Sequence, residues 1–216
     1  MNVLALDGAL GAISAATARD DRIVASRSET GNVALERGLG LVREVLERSQ
    51  LEPEGIDRLA VGIGPGGFTG LRIAVAYAKS LAAAWRRPLV AIDSFDLLEW
   101  GGAYERALAV VSGRAGVISA RLRSPDGVRR ASGRIADVLG ELFPAHVEGT
   151  LTVVGAAKDV LHELAERGII VHSVDPLVLP AAAAAALAAS SRAPAKSVHE
   201  VGADYGELPA ATVPRL

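Results

Sequence analysis

The residue types best suited to chemistry stand together in the run Gly62-Ile63-Gly64-Pro65-Gly66-Gly67-Phe68-Thr69-Gly70-Leu71-Arg72. Glycines let the backbone approach a ligand or another chain, and the free N–H groups of a helix that follows attract anions. Gly62, Gly64 and Gly67 fit the dinucleotide-binding spacing G-x-G-x-x-G. Asp93, 31 residues after Gly62, stands where a ribose-binding acid would be sought, but that interval is longer than the fingerprint asks for. A P-loop is excluded, because Phe68 and not Lys follows Gly67. Asp7 and Asp93 each end an apolar run. An acid there suits Mg²⁺-assisted phosphoryl transfer, and it equally suits a turn that caps the next element. The loop itself reads either as a ligand site or as a tight strand-to-helix turn without a ligand.

Other chemistry is scarce. His146, His162, His172 and His199 form no H-x-x-x-H or H-E-x-x-H pair, and the chain has no cysteine. No metal site, disulfide or thiol nucleophile is therefore expected. Ser94 and Ser112 have no partner base in the sequence, so no nucleophile–base–orienter set assembles.

The elements that must position these residues follow from periodicity. Val3–Leu6, Ala12–Thr17 and Arg22–Ser26 read as three strands joined by tight turns, an antiparallel meander. Residues 34–49 change period: Leu35, Leu39, Val42 and Leu46 share one helical face among Glu and Arg. Leu59–Ile63 and Leu89–Ile92 are continuous apolar strands of the kind covered on both faces. The segment from Phe68 to Ala84 between them is a helix apolar almost all round, and so buried on more than one side. Within it Ala74, Ala78 and Ala82 form a small-residue ridge. The helix reads as interior, or as facing the sheet on one side and a partner chain on the other.

From Arg106 the same order of elements returns, giving β-β-β-α-β-α twice. The expected fold is α/β and two-lobed, a duplicated ribonuclease-H-like motif as in the actin and Hsp70-ATPase superfamily. Residues 1–103 form the first lobe and 104–216 the second. Ala181–Ala189 has high helix propensity but little to bury; a packed helix is expected there, followed beyond the linker at 190–195 by a poorly ordered tail.

The 216 residues are 50% hydrophobic and carry a formal net charge of −2, with three lysines. That balance shows no basic stripe for gripping nucleic acid. Met1-Asn2-Val3 lacks a basic leader, and no uncharged run is long enough to span a membrane. A soluble, cytoplasmic protein is expected.

The nonamer Gly64-Pro65-Gly66-Gly67-Phe68-Thr69-Gly70-Leu71-Arg72 closely resembles the G-P-G-S-F-T-G-[LV]-R signature of the TsaB (YeaZ-type) family. Eight of nine positions fit, the exception being Gly67. Leu4-Ala5-Leu6-Asp7 resembles the family's opening. Three features depart from the family pattern. Ala34 stands where a His is usual, Ser112-Gly113-Arg114 replaces D-A-R, and Ala203-Asp204-Tyr205-Gly206-Glu207 is the nearest remnant of the closing motif.

The resemblance implies a non-catalytic subunit that pairs with a TsaD-type transferase, together with the ATPase TsaE. That assembly transfers a threonylcarbamoyl group to the adenosine beside the anticodon of tRNA. The implied interface lies on the two N-lobe helices, at Leu35, Leu39, Val42, Leu71, Arg72, Ala74, Val75, Ala78, Leu81 and Ala82. Gly64, Pro65, Gly66, Gly67, Phe68, Thr69 and Gly70 form a signature loop near which a nucleotide could lie. No cofactor is expected on this chain alone, ATP/ADP and metal being implied for the partner complex. tRNA is contacted indirectly, and the chain alone could homodimerise. The alternative is an actin-fold nucleotide-binding or kinase-like enzyme using Asp7 and the 64–72 loop.

Overall fold

The computed structural model describes residues 1–31, 37–144, 149–155, 157–190, 192–195 and 197–206. The first lobe runs β1 (Asn2–Asp7), β2 (Ile13–Arg19), β3 (Arg22–Glu29), α1 (Gly38–Ser49), β4 (Arg58–Gly62), α2 (Phe68–Trp85), β5 (Leu89–Ile92) and α3 (Ser94–Leu98). The second runs β6 (Ala107–Ser112), β7 (Val117–Ser124), β8 (Gly127–Arg134), α4 (Ile135–Leu142), β9 (Thr150–Val154), α5 (Lys158–Glu166) and β10 (Ile170–Val174), and α6 (Pro180–Ser190) follows. The sheets are ordered β3-β2-β1-β4-β5 and β10-β9-β6-β7-β8. Counted from each lobe's own first strand, both are 3-2-1-4-5, so the expected duplication is present in the pairing itself. In each, the first strand pairs antiparallel with the second and parallel with the fourth.

The continuous apolar character of β1 has a direct cause. Leu4 and Leu6 join one core with Leu59, Val61 and the helices α1 and α2, while Val3 and Ala5 join another with Ala60, Val90 and α6. A strand covered on both faces has no solvent side on which polar residues could alternate.

The packed helix expected over Ala181–Ala189 is present as α6: Ala181–Ala186 and Ala188 are all buried. They lie against β1, β2 and β4 of the first lobe. Methyl side chains let α6 sit close on a sheet face that is itself lined by Val and Ala. The first lobe also supplies its ends. The Ala181 N–H donates to Ser14 Oγ of β2 (3.3 Å), and Arg58 Nη1 donates to the carbonyl of Ala188 (2.8 Å). The boundary at 103/104 therefore does not hold for the C-terminal part, because α6, Ala195 and residues 197–204 return to the first lobe. Ala195 N–H donates to Leu89 O, Asp204 N–H to Ile63 O, and Lys79 Nζ to Val201 O. The expected start of the first helix at 34 and the tail beyond 206 lie outside the described residues.

The lobes are joined at α3. Phe95 and Leu98 pack on Ala109, Val111 and Val154 of the second sheet. Beside them Arg121 of β7, its side chain 4% exposed, lies 2.7 Å from Asp96 Oδ1 and 3.0 Å from Glu99 Oε2. Arg123 also holds Glu99, Arg130 holds Asp93, and Arg192 closes the ring on Asp96. Burial works against the Arg121 charge, but Glu99 and Asp96 outweigh it and hold the guanidinium above its usual range. Removing one partner from such a buried set leaves uncompensated charge and costs about 3–5 kcal/mol, whereas an apolar replacement of both partners is close to neutral. Arg121→Ala should lower the unfolding free energy in urea by that amount, and Arg121→Met with Glu99→Leu should recover most of it.

Candidate functional site

The glycine loop meets the turn after β1 backbone to backbone. Gly67 N–H donates to Ala9 O (2.7 Å). A side chain on Gly8 would strike Gly70 O, one on Gly70 would strike Gly8 O, and one on Gly66 would strike Ala9 O. These glycines therefore serve close packing of two chain segments. Gly64 has φ +100°, and a side chain there would meet Asp204 O of the returning C-terminal segment. Gly67 differs: the one neighbour of its added β-carbon is Ala9 O at 3.6 Å, and φ is −59°. The single position where the nonamer departs from the signature is thus one where a serine fits. No side chain caps α2 there.

Asp7 lies beneath this junction, fully buried. Its Oδ1 accepts the N–H groups of Ala9 (3.2 Å) and Leu10 (3.4 Å), while Oδ2 has no partner among the described residues. A side chain at Gly62 would collide with Oδ2, with Leu97 close by. Burial pushes the Asp7 carboxyl up to about 7, against the opposing pull of the backbone N–H groups of Leu10, Ala9 and Gly8. Sealed in this way, Asp7 acts as a turn former rather than as a ligand facing a cleft. Asp93 is likewise a cap. Its Oδ1 accepts the Phe95 N–H (2.8 Å) at the start of α3, and its carboxylate pairs with Arg130.

A cavity of about 860 Å³ opens between the lobes, lined by Leu10, Ile23, Leu98, Val111, Leu177 and Val178 among others. No Asp, Glu, Lys, Arg or His lines it among the described residues, and Ser26 and Ser112 supply the side-chain hydroxyls. A nucleoside triphosphate or its Mg²⁺ needs cations or carboxylates at the phosphates, so these residues do not fit ATP. No three metal-ligating side chains gather elsewhere among the described residues.

The residues expected to face a partner divide sharply. Leu71, Ala74, Val75, Ala78 and Ala82 are buried in the first lobe's own core, which corrects their assignment as interface; Val42 is buried in the same core and also lines an outward groove. The ridge Ala74–Ala78–Ala82 faces inward. Ala74 meets Gly8, and α2 packs on β4 and β1. Part of the remaining apolar surface of α2 is covered by the chain itself, through Val198, Val201 and Ala203. Leu35 lies outside the described residues. Leu39, 49% exposed, and Arg72 face outward, with Leu81 half-buried. On α1 the core stripe is Gly38, Leu41, Val42, Val45 and Leu46, so Leu39 lies off the stripe on which the sequence placed it. Tyr77 of α2 packs where a side chain on Gly38 would be.

What remains outward on these helices is a groove of about 450 Å³ lined by Leu39, Val42, Leu46, Leu81 and Trp85, with Arg43 and Glu47 at its sides. Beside it α2 exposes a second small-residue stripe, Ala76, Ser80 and Ala84 at i, i+4 and i+8. The sequence reading missed Trp85 and this stripe. The signal was present in the helical period, two residues along from the ridge it chose. It also missed Tyr205, whose ring lies 5.0 Å from that of Phe68.

Two measurements test these assignments. Gly67→Ser should be neutral or stabilise by about 0.5 kcal/mol through a new N-cap and a less flexible unfolded chain. Gly66→Ala should destabilise, by roughly 1–3 kcal/mol, because backbone must move; thermal melts separate the two. The raised folded pKa of Asp7, against an ordinary value of 3.8, gives stability fully present below about pH 4 and lost as pH rises through about 7, on the order of 4 kcal/mol. Asp7→Asn should therefore gain on the wild type between pH 4 and pH 8 by up to about that amount, read as the difference between their urea midpoints.

Comparison with known proteins adds the family. The model described as TsaD, tRNA N6-adenosine threonylcarbamoyltransferase, matches residues 35–180, more than half of the chain. The chain is 30% identical over 122 residues to the Escherichia coli tRNA threonylcarbamoyladenosine biosynthesis protein TsaB, covering 55% of this chain and 53% of that protein. The Bacillus subtilis protein of the same name is 29% identical over 106 residues, 47% of this chain and 45% of that protein. The chain thus matches about half the length of these curated relatives. The solved structure of YeaZ from Pseudomonas aeruginosa superposes with a TM-score of 0.68 at 22% identity, covering 94% of this chain and 99% of that one, and shows the same fold. Together with the nonamer, these matches place the chain in the family described as TsaD, tRNA N6-adenosine threonylcarbamoyltransferase, as a TsaB/YeaZ-type member.

Proposed function

We propose that this chain is a non-catalytic subunit in the making of threonylcarbamoyladenosine in tRNA. In this reading it pairs with a TsaD-type transferase through the outer face of α1 and α2, and the pair works with a TsaE-type ATPase. The transferase moves the threonylcarbamoyl group to the adenosine beside the anticodon. Nucleotide and metal belong to the partner complex in this account, and this chain supplies a rigid surface.

The observation that carries the proposal is the outward face of the two helices. Leu39 stands half-exposed on α1, and Leu81 and Trp85 of α2 line the groove beside it. Next to the groove, Ala76, Ser80 and Ala84 are exposed with almost no side chain to hold a partner helix away. A helix laid on such a stripe can approach to the short end of the usual 8–10 Å interaxial distance and place its apolar residues in the groove. The choice of a TsaD-type partner rests on the family resemblance, and the relatives named for tRNA threonylcarbamoyladenosine biosynthesis support that reading. The sealed position of Asp7 and the uncharged lining of the inter-lobe cavity argue against the kinase-like alternative.

Leu39→Arg combined with Ser80→Arg should weaken co-purification with the cognate TsaD-type protein by at least about tenfold, with the thermal midpoint of the isolated chain unchanged because both side chains are exposed. Retention of full affinity in the double variant would overturn the assignment of this face. Sedimentation of the lone chain over a range of concentrations should show whether the same face pairs two copies.

A further inference from the structure

The formal net charge of −2 conceals an uneven distribution: between residues 106 and 134 seven arginines face Asp126 alone. Several are committed within the fold. Arg121 is buried in the inter-lobe cluster, Arg123 and Arg130 pair with Glu99 and Asp93, and Arg129 donates to the Leu142 carbonyl (2.6 Å). Arg114 and Arg134 are different. Both are exposed, and neither has a hydrogen-bond or ion-pair partner among the described residues. The fold sets them around one residue: Arg134 of β8 is in register with Val117, whose N–H donates to Arg114 O (2.9 Å).

The same end of β8 leads to the first lobe. Two residues before Arg134, and on the same face, exposed Ser132 donates to Ser119 Oγ (2.8 Å). Gly206 lies directly on Ser119 and beside Pro65 of the glycine loop, where any side chain would collide with both. Tyr205, 37% exposed, then places its ring 5.0 Å from that of Phe68, which is 55% exposed, and the guanidinium of Arg72 stands 5.1 Å over the Phe68 ring. The result is a ledge across both lobes, with exposed aromatic rings and a cation at one end and two unpaired cations at the other. Of the nearby carboxylates, Glu29 pairs with Arg37, while Asp204, which accepts the Gly206 N–H (2.9 Å), and Asp137 in the first turn of α4 have no cation partner among the described residues, so Arg72, Arg114 and Arg134 outnumber the unpaired acids.

We propose that this ledge binds single-stranded RNA, with Phe68 and Tyr205 stacking on a base and Arg72, Arg114 and Arg134 receiving phosphates. Exposed rings beside arginine are what unstacked bases recognise, because every base offers a π-face to stack on. An acidic peptide would use the arginines but would have no need of the rings. The contact goes beyond the pairing proposed above and does not require it, because the α1–α2 groove shares none of these residues.

The test uses the full chain and a fluorescein-labelled single-stranded RNA of about 16 nucleotides, the upper end of known site sizes. Anisotropy is read at about 50 mM and about 200 mM salt. The ledge predicts binding that weakens with salt. Arg114→Glu with Arg134→Glu should weaken it about tenfold and flatten the salt slope by about two. Tyr205→Ala should weaken it about fivefold at an unchanged slope, and Arg48→Glu, on α1, should change neither. Absence of binding at low salt, or equal affinity in the Arg114/Arg134 variant, would overturn the proposal. So would equally tight binding of polyglutamate that is indifferent to Tyr205→Ala, which would make the ledge an acidic-peptide site. Co-purification with the TsaD-type protein, read on the same variants, should be unchanged. A failure of pairing therefore bears on the subunit reading, and a failure of RNA binding bears on the ledge.

Discussion

The contact on which the rest of the molecule depends is the bare backbone approach between the turn after β1 and the loop leading into α2. Gly8 and Gly70 exclude side chains from each other's carbonyl oxygens, and Gly66 does the same at Ala9. This fixes where α2 begins, and with it which of its faces lies on the sheet. The same approach seals Asp7 away from solvent and leaves one carboxylate oxygen without a donor among the described residues. In an actin-like fold an acid at the end of the first strand is the obvious candidate for metal or phosphate chemistry. Here the surrounding backbone has closed over it, and the stability of the closed arrangement is tied to a proton on that carboxyl.

The second constraint is between lobes. α3 and its two cap residues bring Asp93, Asp96 and Glu99 to a buried arginine of the second sheet, and α6 crosses back to cover the inner face of the first. Arg192 belongs to both devices, since it pairs with Asp96 while its carbonyl accepts from Arg58. A two-lobed fold held at the hinge side by ion pairs and on the sheet by a returning helix presents its outer helices at a fixed angle. That suits the proposed role of a subunit whose contribution is a surface.

Much of this was readable in the residues, and the parts that were not share a cause. Alternating and continuous apolar runs gave both β-β-β-α-β-α series, because strand burial leaves its mark within a few residues of sequence. The polyalanine helix left no such mark: with the same methyl group on every side, it has no preferred face until the Val- and Ala-lined sheet of the other lobe is known. Arg121 and Glu99 are 22 positions apart, and nothing local in either segment announces the pair. The glycines of the signature loop were legible as close approach but not as approach to what, and the partner is the chain's own turn. On α2, apolar residues all round correctly indicated burial on more than one side. The choice of Ala74, Ala78 and Ala82 as the outward ridge failed because small residues also line the stripe two positions away, at Ala76, Ser80 and Ala84. Composition cannot distinguish the two.

The central claim is that the outer face of α1 and α2 is the working surface of this protein. Amide hydrogen exchange of the chain, alone and mixed with the cognate TsaD-type protein, tests it most directly. The account predicts new protection in α1 around Leu39 and in α2 from Ala76 to Trp85, with α4, α5 and the second sheet's outer edge unchanged. Protection confined to the second lobe, or no protection under conditions where the two proteins co-sediment, would contradict it.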